Sequence, residues 1–144
     1  MTTLADVVAL GQRERFLAVV ATLRGDGTIQ ASLVNAGVLG FGGSEVVGFV
    51  TYGRAKLANL RARPEVAVTF RSDWAWATVE GRAVLVGPHD EYPDIDADGL
   101  RLLLRQVFTA AGGTHDDWTA YDQAMADEGR TAVLITPTRI YSNH

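Results

Sequence analysis

The chain has 144 residues and a mass of 15.5 kDa, with 47% apolar and 21% charged side chains. That describes one ordinary globular domain spanning residues 1–144 and excludes two separate cores. Cysteine is absent, so thiolate metal sites, disulfides and thiol nucleophiles are excluded together, and a reducing, cytoplasmic setting is expected.

In chain order, residues 4–15 place Leu4, Val7, Val8 and Leu10 near helical spacing and predict a short amphipathic helix. From Phe16 the run FLAVVATL, the turn Gly25-Asp26-Gly27 and the run TIQASLVNAGVL predict a β-hairpin. GFGGS at residues 40–44 reads as a loop, EVVGFVTY as a third strand, and ANLRARP as a helix stopped by Pro64. Residues 66–71 alternate as a fourth strand, and residues 74–87 form a long fifth strand in which Gly81 marks a bend or bulge. The acidic stretch 89–98 is a solvated loop that ends by capping a helix over residues 99–111. A partner helix over 116–128 carries Trp118, Tyr121 and Met125 on one stripe, expected to cover an open end of the sheet. TAVLITP is the last strand, followed by a short tail, TRIYSNH. Six strands with hairpin connections predict a mainly β fold, an antiparallel barrel with flanking helices.

Net charge is −4, but residues 1–88 carry nine basic and seven acidic side chains, while residues 89–144 carry four and ten. Five of the thirteen cations, Arg54, Lys56, Arg61, Arg63 and Arg71, fall within eighteen residues. This density suggests a local anion site; a nucleic-acid protein would spread a larger basic excess over a whole face. No basic segment precedes an apolar run at the N-terminus, and no apolar run reaches the length of about 18 residues that a membrane span needs, so neither export nor membrane insertion is expected.

The stretch YGRAKLANLRARP is the most informative. A helix start favours acids, because its free N–H groups and aligned dipoles give it about half a positive charge. Here it begins instead with Arg54 and Lys56, the only lysine beside twelve arginines. Backbone N–H groups plus two cations would cradle a phosphate or polycarboxylate, and the residues alone leave that reading and a solvated surface both open. Gln30 and Ser32 share a strand face and could meet a heterocycle's edge, with an outward, wet face as the alternative. Trp74 and Trp76 share a face suited to a core, an interface or a flat ring. The three histidines are isolated from metal-ligand spacing, and no G-x-S-x-G, G-x-G-x-x-G or P-loop signature is present, so no metal is assigned and hydrolase and kinase readings lack support.

The order of LAVVATLRGDGTIQASLV, GFVTYGRAKLANLRARPEVAVTF, WATVEGRAVL and GTHDDWTAYDQAMADEGRTAVLITPTRIYS resembles the flavin/deazaflavin oxidoreductase superfamily. This includes the pyridoxamine 5′-phosphate oxidase-like split β-barrel proteins, and the pattern is most similar to the branch that uses coenzyme F420. The resemblance implies a six-stranded antiparallel split barrel forming a homodimer, with each cofactor in a groove between subunits. It implies that Arg54, Ala55 and Lys56 grip the cofactor phosphate, that Val50 and Thr51 border the ring and ribityl chain, and that Gln30 and Ser32 approach from the second strand. Trp76 and Ala77 would come from the partner subunit. Arg61 and Arg63 would meet carboxylates of a deazaflavin tail if they face the groove, and Trp74, Trp76 and Val38 would fringe an apolar acceptor pocket. The implied activity is hydride transfer from reduced F420 to an electron-poor conjugated small molecule, with no catalytic residue assigned. An FMN-binding oxidase of the vitamin B6 type and a non-catalytic F420 carrier are the alternatives.

Overall fold

A computed structural model describes all 144 residues. Ten elements follow in chain order: α1 (Leu4–Arg13), β1 (Leu17–Leu23), β2 (Ile29–Phe41), β3 (Ser44–Thr51), α2 (Arg54–Ala62), β4 (Glu65–Ser72), β5 (Ala75–Val86), α3 (Ala97–Ala110), α4 (Trp118–Glu128) and β6 (Thr131–Ser142). The strands close an antiparallel barrel in the order β1-β2-β3-β6-β5-β4, with β4 returning to β1. No helix is long and apolar enough to cross a membrane.

Two-residue alternation builds the barrel wall. Val20, Phe49, Val68, Phe70, Val79, Val133 and Ile135 point inward and are essentially inaccessible to water. Val7 and Leu10 of α1 join this interior cluster, as do Leu57 and Leu60 of α2, so the two short helices close the barrel's ends. A second cluster lies on the outer face, where Val46, Val86, Ala132 and Leu134 meet Leu103, Leu104 and Val107 of α3 and Tyr121 of α4. Gly37 lets α3 approach β2, since a Cβ there would stand 2.2 Å from the Ala110 carbonyl oxygen.

Several expectations change. Residues 15 and 16 leave both helix and strand, with Arg15 and Phe16 at φ of 55° and 58°, and the Phe16 ring packs over Gly11 and Gly112. The expected loop at 40–44 shrinks to Gly42 and Gly43, whose positive φ values of 61° and 83° suit a tight hairpin turn. Of the Trp118-Tyr121-Met125 stripe only Tyr121 is fully buried, and it covers the outer face of the sheet rather than an open end. The supposed tail is strand: β6 runs on to Ser142, pairing Arg139 with Glu80 and Ser142 with Ala77 across a register shift at Glu80/Gly81. Gly81 stands at that bulge as expected, because a Cβ would lie 2.1 Å from the Thr136 carbonyl oxygen.

Candidate functional site: an uncapped helix with two free cations

The end of β3 delivers the chain to α2. The other three helices begin with a side-chain cap: Thr3 accepts from the Asp6 N–H, Asp96 from Gly99 and Asp117 from Ala120. At α2 the capping position is Gly53, no side chain caps the first turn, and that turn holds no acid. Its N–H groups and the positive end of its dipole are therefore left for another partner.

Beside them stand Arg54 and Lys56, and neither takes part in an ion pair. Arg54 and Ala55 are exposed, but Lys56 is only 8% exposed. Its Nζ lies 5.8 Å from the centroid of the Phe49 ring, and burial pushes its pKa below the usual lysine value. A desolvated ammonium without a counter-ion is costly to keep, and a bound anion removes that cost. Thr51 is buried, its Oγ1 accepting the Gly53 N–H at 3.1 Å, whereas Val50 faces outward, half-buried against the second cluster.

Gln30 and Ser32 both lie on the inner side of β2, opposite Thr22 and Val20. Gln30 Oε1 accepts from Thr22 Oγ1 and from Asn59 Nδ2, both at 3.3 Å, and Asn59 Nδ2 also donates to Thr22 Oγ1 at 3.0 Å. Asn59 thus pins α2 to the barrel, and Gln30 is already engaged. Ser32 Oγ is the one buried side-chain polar atom without a hydrogen-bond partner.

Of the three remaining cations of the cluster, Arg71 pairs with Glu14 at 3.5 Å, just beyond α1. Arg61 makes a two-pronged pair with Asp90, at 2.8 and 2.7 Å, and the Arg63 Nε donates to the Leu23 carbonyl at 3.0 Å. Arg61 is therefore occupied within the chain. In its place the register brings a cation that the sequence reading did not single out. Thr51 pairs with Thr131, so Arg130 reaches the same end and its guanidinium stacks 4.0 Å over the ring of Tyr52. A cation directly preceding a strand was the available signal.

Trp76 and Ala77 lie at the start of β5, at the end of the barrel closed by α1 and away from α2. One chain does not bring them to the anion site. Ala77 is fully buried in the barrel interior, while the half-buried Trp76 meets Tyr141 edge-on with ring centroids 6.1 Å apart. Trp74 precedes β5 and is 90% exposed, and Val38 packs against the interior cluster. The last residues fasten β6 to β5: Tyr141 donates to Glu80 at 2.6 Å, and Asn143 takes the Trp76 N–H and donates to the Trp74 carbonyl.

A phosphorylated flavin-type group fits this arrangement, because an uncapped helix start, two cations without partners and a buried hydroxyl without one lie on α2 and the strand it is pinned to. The fold has known relatives. It is similar to a conserved hypothetical protein from Mycobacterium tuberculosis, with a TM-score of 0.68, 19% identity, and coverage of 99% of this chain and 84% of that one. An F420 reductase is similar at a TM-score of 0.61 and 22% identity, over 92% and 94% of the two chains. A pyridoxamine 5′-phosphate oxidase-related, FMN-binding protein from Nostoc punctiforme is similar at a TM-score of 0.63 and 14% identity, over 99% and 86%. At these identities the likeness establishes the fold. Family membership rests on the sequence: residues 7–144 match the family model described as pyridoxamine 5′-phosphate oxidase, and the chain belongs to that flavin-binding oxidoreductase family.

Proposed function

We propose that this chain is an F420-dependent reductase acting on an electron-poor, conjugated small molecule, as a homodimer in the cytoplasm. The observation that carries the reading is Lys56, a nearly buried ammonium with no counter-ion beside the uncapped start of α2. Arg54, the backbone of Ala55 and Lys56 hold the cofactor phosphate, Thr51 and Val50 border the chain that leads from it, and Ser32 offers a hydroxyl from β2. When bound, the deazaflavin supplies the hydride. The protein's part is to fix the ring and exclude water from the groove.

The separation of Trp76 and Ala77 from α2 within one chain is consistent with a groove completed by a second subunit. A face for that partner is available on the outside of β1 and β2, where Val19 is 46% exposed and Ile29 and Leu33 are each 63% exposed. FMN is the second cofactor reading. Against a vitamin B6 oxidase stands the end of β6, where Tyr141, Ser142 and Asn143 are all engaged in bonds within the chain and leave Arg139 and His144 for a phosphorylated substrate.

Titration of the purified protein with F420 and with FMN, followed by fluorescence, tests the assignment. Tighter binding of F420, with hydride transfer to at least one of a panel of quinones, enones and tetrapyrroles, is expected. Preference for FMN overturns the cofactor, and tight F420 binding with no transfer makes the chain a carrier.

A further inference from the structure

A further cavity opens between α3 and α4. It has a volume of about 590 Å3 and lies between the loop leading from β5 to α3, the first turns of α3 and the last turns of α4. Its apolar wall is built from Val86, Ile95, Leu100, Leu104 and Met125, with Tyr92 at one side. These residues belong to the second hydrophobic cluster or pack against it, so the cavity is an opening in that cluster. This volume lies within the range of about 300–1,000 Å3 common for small-molecule sites.

Ion pairs fix the walls of the opening. Asp122 of α4 is gripped by both Arg101 and Arg105 of α3, which keeps its carboxyl below the usual range, and the Tyr121 hydroxyl donates to the Leu104 carbonyl at 3.0 Å. On the opposite side Asp90 is held by Arg61 of α2. The cavity is thus framed by fixed elements.

The same pairs decide what it would accept. The lining carries four carboxylates, Asp90, Glu91, Asp96 and Asp122, against two guanidiniums, Arg101 and Arg130. Asp90 and Asp122 are paired as described, Arg101 also binds Asp98, and Arg130 binds Glu128. Glu91 takes part in no ion pair, and Asp96 is engaged through one oxygen with the Gly99 N–H. Asp96 is thus spent in part on the positive end of α3, which leaves Glu91 as the unpaired charge at the rim, and that charge is negative.

We infer that this cavity is a binding site for a compact apolar or aromatic molecule carrying a single ammonium group, separate from the anion site at α2. The apolar body lies against Leu100 and Met125, and the cation sits against Glu91 at the rim. The site does not rest on the cofactor assignment: its lining includes neither Arg54 nor Lys56, and Arg130, which reaches both places, is bound to Glu128.

Tryptamine, 3-methylindole and indole-3-acetate share a ring system and differ in charge, so they serve as probes. Each is titrated into the 15N-labelled full chain and followed by amide chemical shifts. Tryptamine is expected to give saturable shifts confined to residues 86–104 and 122–130, with an affinity at least about tenfold above that of indole-3-acetate and with 3-methylindole between them. Ala126→Phe, at an exposed position on α4 that faces the opening, is expected to abolish these shifts while leaving the thermal transition and flavin binding unchanged. Should that variant fail to fold, Glu91→Gln at the exposed rim is expected to lower the preference for tryptamine over indole-3-acetate at least threefold. Absence of saturable shifts, equal or tighter binding of indole-3-acetate, or tryptamine shifts that persist in folded Ala126→Phe would overturn the inference.

Discussion

On the proposed reading Lys56 makes stability and ligand binding pull in opposite directions, and Lys56→Met separates them. The methionine keeps most of the apolar stem against Phe49 and removes only the desolvated ammonium, which has no partner to leave unsatisfied. Replacements that relieve a strained functional site commonly add about 0.5–2 kcal/mol, which for a domain of this size raises the melting temperature by about 2–6 °C. Anion binding should fall in the same variant. A hydrogen bond to a charged group is worth about 1.5–3 kcal/mol, so affinity for FMN or F420 drops by about 10- to 150-fold, and Arg54→Ala, at an exposed position, falls near the lower bound. The pH dependence has a definite sign. In the unfolded chain the amine titrates near 10.5, and in the fold it titrates lower because of burial. Below the folded value the burial cost is fully present. Between that value and 10.5 the unfolded state binds more protons, so stability rises with pH in the wild type relative to Lys56→Met. Calorimetry from pH 7 to 10.5 and fluorescence titration provide the two measurements. A variant that is less stable than the wild type without ligand, yet binds flavins equally well, would refute the reasoning.

Gly81→Ala should cost at least the upper end of the usual overpacking range of about 1–3 kcal/mol, because its Cβ would meet a backbone oxygen at 2.1 Å; an unchanged denaturation midpoint would contradict the bulge geometry. Leu33→Glu should leave the barrel folded and convert a dimer to monomer in light scattering, and a dimer that persists would move the interface to another face. Tyr121 has its pKa pushed up to about 12 by burial, so its neutral form supports the fold below pH 10 and that support is lost as pH rises towards 12. Tyr121→Phe should lose about 1 kcal/mol at neutral pH, through the missing bond to Leu104, and flatten the alkaline decline; equal alkaline sensitivity in both proteins would show that Tyr121 does not govern it.

What could be read from the chain was what local spacing encodes. All six strands, the bulge glycine and the misplaced cations of α2 were visible in residue order, since alternation and dipole preference act over a few neighbours. Pro137 misled the reading of β6 because proline ordinarily ends a strand. Here it pairs opposite Gly81 at the bulge, where the ladder is already interrupted and a missing N–H is tolerated. The GFGGS segment looked like a loop because three glycines suit several turns, and only strand pairing selects the two-residue form. Pairings over long sequence distances were out of reach: Arg61 with Asp90, Asn59 with Gln30, and the stacking of Arg130 on Tyr52 depend on which ends the barrel brings together.

The position of β6 governs how the molecule must come into being. It fills the gap between β3 and β5, so until residues 131–142 have been synthesised the other five strands form an open sheet with two bare edges. Such edges invite pairing with other chains. Synthesis that stalls before Thr131, or cleavage in the segment between α3 and β6, therefore yields a species prone to aggregate rather than a weakened enzyme, and closure of the wall is an event of the finished polypeptide.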